Sequence, residues 1–193
     1  MGVSNTRGDD GLTWWFFSDS HFFHGRIIEY ENRPLDHEER MWKGLSLVQE
    51  EDFFVHTGDV GFIPPSKVNE FLDRFPGQKK VLVEGNHDAR TRKIRNWEGW
   101  NEVIRYKKVW EITIDGIRFA ISHRPHELIN IPSDICIHGH VHGKEPKFRW
   151  LSGEDGTSKL FVNACVEVND YRPISLEDIK EEYHNNGSIC TAN

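Results

Sequence analysis

Apolar and polar residues alternate along this chain in short bursts. Those rich in aromatic and β-branched residues predict strands over 12–17, 52–56, 80–84, 109–114, 117–121, 135–138, 147–151 and 160–166. Asp115-Gly116 between the fourth and fifth strands is a two-residue hairpin signal, and 152–158 (SGEDGTS) reads as the loop of a longer hairpin. Helical spacing appears at Val68, Phe71, Leu72 and Phe75, after a Ser66 cap and before a stop at Gly77. Met41, Leu45 and Val48 place another helix within 38–49, weakened by Gly44. Ser175-x-x-Asp178 opens a short acidic helix near the end. Strand–helix–strand units followed by hairpins predict an α/β fold with at least one mixed sheet. The polar stretches 1–11 and 185–193 read as loose tails around one domain, 12–184.

Composition narrows the class. A chain of 193 residues buries roughly 70% of its extended-chain surface, enough for one sizeable core. Its 37% hydrophobic and 12% aromatic content excludes disorder. No run approaches the ~20 apolar residues of a membrane span, and Met1–Gly11 lacks the apolar core of a secretory signal. A formal net charge of −7 disfavours non-specific nucleic-acid binding, which needs a basic face. Cys136, Cys165 and Cys190 are odd in number, far apart and without a C-x-x-C pattern. They argue against a disulfide framework or a thiolate zinc site, and for a reducing, cytoplasmic setting.

The eleven histidines and the aspartates are not scattered. The first strand ends in Ser18-Asp19-Ser20-His21, the second in Gly58-Asp59 and the third in Gly85-Asn86-His87-Asp88. The fifth ends in His123 and the sixth in His138-Gly139-His140-Val141-His142. Ligands of open α/β sheets bind at this carboxyl edge, so the five segments are expected to share one site. In Asp19-x-His21 and His140-x-His142, a strand-like backbone would point both side chains the same way. Glycines before Asp59, Asn86 and His140 permit sharp turns and close backbone approach. The donors are Asp19, Asp59 and Asn86 through oxygen, and His21, His123, His140 and His142 through nitrogen. Seven are too many for one tetrahedral zinc. They suit two divalent ions bridged by one carboxylate, and the mixed set favours Mn, Fe, Zn, Ni or Co over Mg or Ca.

Taken in order, Asp19-Ser20-His21, Gly58-Asp59, Gly85-Asn86-His87-Asp88, His123 and Gly139-His140-Val141-His142 resemble the calcineurin-like metallophosphoesterases. The resemblance spans roughly residues 12 to 168, and the ordered set is far more specific than any one motif. It implies two mixed β-sheets packed as a sandwich with helices outside. It also implies that one metal takes Asp19, His21 and His142, the other Asn86, His123 and His140, and that Asp59 bridges. Manganese is the first expectation for both ions. In this picture the ions hold a bridging hydroxide that attacks a phosphoester, and His87 faces the phosphate instead of binding metal. His87 then stabilises the developing charge or protonates the leaving group. Asp88 either orients His87, completing a catalytic pair, or caps the helix that follows over 90–96.

Around this set, Arg124 and Arg90 are candidate phosphate clamps, with surface ion pairing as the plain alternative. His24 is a candidate for the substrate mouth, and the irregular run through Phe22, Phe23 and Tyr30 to Pro34 is placed to select the leaving group. His56 and His138 read as supports inside strands, His37 and His184 as solvated. Trp14 and Trp15 read as strand core. Arg92, Lys93 and Arg95, with Trp97 and Trp100 behind, read as a solvated helix face or a nucleic-acid platform. The phosphoprotein phosphatases extend Gly-Asp with a downstream Asp-Arg-Gly, whereas Gly58-Asp59 here runs into Val60-Gly61-Phe62-Ile63-Pro64-Pro65. The favoured substrate is therefore a small phosphodiester or phosphomonoester of nucleotide type. A non-catalytic scaffold on the same fold, or a protein phosphatase, is the alternative.

Overall fold

In the computed structural model, residues 12–91, 100–153 and 157–190 are described. The first sheet joins β1 (Trp14–Phe17), β2 (Phe53–His56), β3 (Lys79–Val83) and β4 (Glu102–Ile104) in parallel. A two-residue strand near the end of the chain, Ile174–Ser175, pairs antiparallel with β1 and closes that edge. Parallel neighbours need crossovers. These carry α1 (Ile27–Tyr30), α2 (His37–Leu45), α3 (Val68–Leu72) and α4 (Asn86–Thr91). The second sheet holds β5 (Trp110–Ile114), β6 (Ile117–Ile121), β7 (Ile135–His138), β8 (Phe148–Ser152) and β9 (Ser158–Asn163), in the order 5-6-7-9-8. Strands β6, β7 and β9 are parallel, and the hairpins β5–β6 and β8–β9 supply the antiparallel edges.

The period of two sorts the side chains. Trp14 and Phe16 of β1, with Val55, Val81 and Val83, face the second sheet and meet Ile112, Phe119, Ile121, Ile137, Leu160 and Val162 in the inter-sheet core. The alternate residues Phe17, Phe54 and Leu82 face outward under Met41, Leu45, Phe71, Leu72 and Phe75 from the crossovers. This is the predicted sandwich. Trp14 lies in its core, while Trp15 turns out half-buried and bonds Asp52 Oδ2 through its indole N–H at 2.8 Å.

Several local expectations shift. Glu102–Ile104 and Ile174–Ser175 carry too few apolar positions to show an alternation, and pair only because a neighbouring strand edge is there. Ser175 caps the last helix as expected, accepting from the Asp178 amide at 3.1 Å. That helix, α5 (Leu176–Cys190), runs past Asn185, where the polar composition suggested a tail. Its Leu176 and Ile179 are buried in the inter-sheet core, so packing holds a helix that propensity alone would not. His37 is buried, not solvated, with Nδ1 3.0 Å from the Pro34 carbonyl. Trp100 is buried against Phe54 and Phe75. The basic run Arg92, Lys93 and Arg95, with Trp97, lies outside the described residues, as do 1–11 and most of the helix expected over 90–96.

Candidate metal centre

The carboxyl ends of β1, β2, β3, β6 and β7 converge on one edge of the sandwich, stitched within each sheet and between the two. Asp19 N–H donates to the Gly58 carbonyl at 3.0 Å and Gly139 N–H to that of His123 at 3.0 Å. Ser18 and Cys165 form a parallel bridge between the two sheets. Two candidate metal-binding groups result: Asp19 with His21 and His142, and Asp59 with His123 and His140. The grouping of these histidines and aspartates is the one that the family resemblance implies.

The backbone reaches this arrangement differently from the expectation. Asp19, His21, Asp59, His140 and His142 all have φ between +48° and +71°. An extended strand would leave these side chains on the sheet faces. The left-handed turns fold them over the strand ends, a conformation that costs non-glycine residues free energy and clusters at functional sites. Two glycines make room. A Cβ at Gly85 would collide with the Asp59 carboxylate and amide, and one at Gly139 with Ser18 Oγ and the Asp19 carboxylate.

Each carboxylate has one oxygen tied and one presented. Asp19 Oδ2 accepts from Ser18 Oγ at 2.6 Å, the His140 amide at 2.8 Å and Cys165 Sγ at 3.3 Å. Its Oδ1 faces His142 Nε2 at 3.6 Å and His21 Nε2 at 3.7 Å. Asp59 Oδ1 accepts from the His87 amide at 2.8 Å. Its Oδ2 lies 3.4 Å from His123 Nε2, 3.8 Å from His21 Nε2 and 3.9 Å from His87 Nε2. One oxygen thus reaches both groups, as a bridging carboxylate must. Asp19 Oδ1, His21 Nε2 and His123 Nε2 are buried without a hydrogen-bond partner. Buried polar atoms in folded proteins are ordinarily satisfied, and divalent cations, one at each group, would satisfy these three. The donor set fits the implied ions.

The electrostatics agree. Burial would raise the Asp19 carboxyl, but the imidazoles of His21, His123 and His142 outweigh it and hold the group well below the usual range. Asp59 is likewise lowered against its burial, by His123 first. Burial disfavours the His123 cation, yet Asp59 beside it pushes the pKa up to about 9. Burial and the His123 charge together push His140 down to about 4. The carboxylates stay ionised and draw positive charge into a buried place.

A further layer aims the ligands, and part of it was not legible in the sequence. His123 Nδ1 bonds the Thr57 carbonyl at 2.8 Å, which turns Nε2 toward Asp59. His142 Nδ1 bonds Glu167 Oε1 at 2.9 Å, and the same oxygen accepts from Arg33 Nε at 2.8 Å and Nη2 at 2.5 Å. Buried Arg33 also donates to the carbonyls of Asp19 at 2.6 Å and Ser20 at 2.8 Å. Neither Arg33 nor Glu167 sits in a motif. An Arg in an irregular segment and a Glu in a one-turn helix carry no sequence sign that they will meet. Glu167→Gln removes the charge behind His142 at constant shape, and should weaken metal binding about 10- to 100-fold. Calorimetric titration of Mn²⁺ into chelator-treated protein reads this directly.

Asp88 is buried, and its carboxylate takes the amides of Asp59 at 2.6 Å, Gly85 at 3.0 Å and Val60 at 3.2 Å. These bonds are not those of a cap on a helix over 90–96: Asp88 lies inside α4, and its carboxylate ties the Asp59 loop to the start of that helix. His87 is half-buried, with Nε2 on the Asp59 side. Asn86 opens α4, and its Oδ1 accepts from Arg124 Nη2 at 3.4 Å. Arg124 also stacks over Tyr106, 5.3 Å from the ring centre, and its Nε is buried without a partner. The Arg124 guanidinium therefore stands beside the site. Arg90 is exposed on α4. His24 packs near the site, its ring 5.6 Å from that of His21 and 6.5 Å from that of His87.

His56 and His138 support the floor. His138 Nδ1 lies 3.0 Å from the Gly139 carbonyl. His56 Nδ1 accepts from the Gly58 amide at 3.2 Å, so its other nitrogen carries the proton toward Ser20 Oγ at 2.9 Å, and Ser20 donates on to the Val60 carbonyl at 2.8 Å. Burial pushes the His56 pKa from 6.5 down to about 3. Between those values the unfolded chain binds a proton that the folded one refuses. This stabilising contribution is complete above pH 6.5 and is lost as the pH falls toward 3. In urea titrations of chelator-treated protein, His56→Gln should therefore show a flatter loss of stability on acidification than the parent.

The fold and edge define a two-sheet α/β protein with two adjoining groups of candidate metal ligands. A family model for calcineurin-like phosphoesterases matches residues 12–185, and the chain belongs to that family. An uncharacterised protein of Methanocaldococcus jannaschii, MJ1445, is 30% identical over 172 residues, covering 84% of this chain and 86% of that protein. The crystal structure of AQ665, a protein of unknown function from Aquifex aeolicus, is similar with a TM-score of 0.68 at 28% identity. That likeness covers 92% of this chain and 99% of the other. Among the described residues, no helix is long and apolar enough to cross a membrane.

Proposed function

We propose that this protein hydrolyses phosphoesters with two divalent ions, manganese first among them, on a small phosphodiester or phosphomonoester of nucleotide type. The observation that supports this most is Asp59 Oδ2, within 3.4–3.9 Å of His123, His21 and His87 at once. When bound, the ions supply charge stabilisation to the phosphoryl group and activate water as the nucleophile. Asp19, His21 and His142 hold one ion, Asn86, His123 and His140 the other, and Asp59 both. Arg124 offers a guanidinium to the phosphoryl oxygens, and His87 donates from Nε2 to the leaving oxygen. Asp88 keeps the Asp59 loop and α4 in register, so the bridging oxygen and His87 hold their separation. A cytoplasmic setting accords with the free, buried thiols of Cys136 and Cys165.

The test is reconstitution. Metal-stripped protein should be inert, and Mn²⁺, Ni²⁺, Zn²⁺ or Mg²⁺ should restore hydrolysis to different extents on matched chromogenic phosphomonoesters and phosphodiesters. No turnover with any ion would leave only the scaffold reading.

A further inference from the structure

A contiguous row of rings leads outward from His87. Phe62 meets it edge-on with centroids 5.5 Å apart, His24 lies 4.5 Å from Phe62, and Tyr30 lies 6.0 Å from His24. The outer rings are open to solvent, Phe62 at 39% and Tyr30 at 54% exposure, whereas neighbouring Phe22, Phe71 and Phe75 are buried. Arg26 lays its guanidinium 4.8 Å from the Tyr30 ring centre, and His24 Nδ1 is buried without a hydrogen-bond partner.

The row is built, because two loops are clipped together to make it. Phe22 and Gly61 form an isolated bridge, and the Phe62 amide donates to the Phe22 carbonyl at 2.7 Å. Gly61 stands at φ +152°, where a Cβ would strike the Phe22 backbone. This clip, in the segment where Gly58-Asp59 departs from the phosphoprotein-phosphatase pattern, holds Phe62 against His24. Exposed rings beside a polar donor cluster offer π-faces and a cation to whatever is esterified to the phosphate.

We infer that Phe62, His24 and Tyr30 form a subsite for a planar aromatic group carried by the phosphoester, of nucleobase type, and so determine specificity. The inference rests on the phosphoesterase reading. An alkyl chain would gain only apolar area along this wall, whereas a flat ring also gains stacking.

Initial-rate competition against a chromogenic phosphoester tests it in metal-loaded protein, with adenosine 5′-monophosphate, ribose 5-phosphate and octyl phosphate as competitors. The nucleotide should compete about tenfold more tightly than the sugar phosphate, as for a base stacked on one aromatic side chain. Phe62→Ala and Tyr30→Ala, checked for parental metal content and unfolding midpoint, should bring that ratio toward one. Equal inhibition by nucleotide and sugar phosphate in the parent, octyl phosphate matching the nucleotide, or an unchanged ratio in both variants would each overturn the subsite. In those cases turnover of the chromogen continues. Absence of all turnover would instead remove the phosphoesterase reading, and the subsite with it.

Discussion

Asp59→Asn is expected to lower metal-dependent phosphoester hydrolysis by about 10²–10³-fold, the scale of losing one preorganised electrostatic contact in an active site. The substitution is nearly isosteric, so the Oδ1 bond from the His87 amide has a counterpart and the fold should persist. What disappears is the negative charge on the oxygen that faces His21, His123 and His87 together. Metal content by elemental analysis should fall along with the rate, from two ions per chain toward one. Full turnover with both ions retained would refute the bridging role.

His87→Ala should separate binding from chemistry. The bond from position 87 to Asp59 comes from the backbone amide, so an alanine in α4 keeps it, and both ions should stay bound. The imidazole is the part that is lost, and general acid catalysis of this kind is worth about 10²–10⁴-fold. Turnover should drop by that factor at unchanged metal stoichiometry, and the loss should be smaller for phosphoesters with good leaving groups such as p-nitrophenolate. A variant as active as the parent on a poor leaving group would exclude His87 from proton donation.

Much of the site was legible because its residues sit at strand ends. Asp19, Asp59, His123 and His140 each follow a short apolar run, and parallel strands in one sheet deliver their carboxyl ends to the same edge. The geometry at those ends was not. An i, i+2 spacing fits a strand, yet Asp19, His21, His140 and His142 adopt left-handed turns. Local sequence favours the commoner conformation, while long-range bonds such as His140 N–H to Asp19 Oδ2 at 2.8 Å impose the rarer one.

The sequence by itself determined the α/β class, the alternation that builds two sheets, and the identity and order of the candidate donors. Periodicity and ligand chemistry are local properties, written in neighbouring residues. Only the tertiary structure decided that buried Arg33 meets Glu167, that Glu167 turns His142, and that Asp88 takes three backbone amides. It also decided that Phe62 and His24, from different loops, share one wall. These pairings join segments far apart in the chain, and their free energy comes from satisfying buried charge and packing rings, which no single segment encodes.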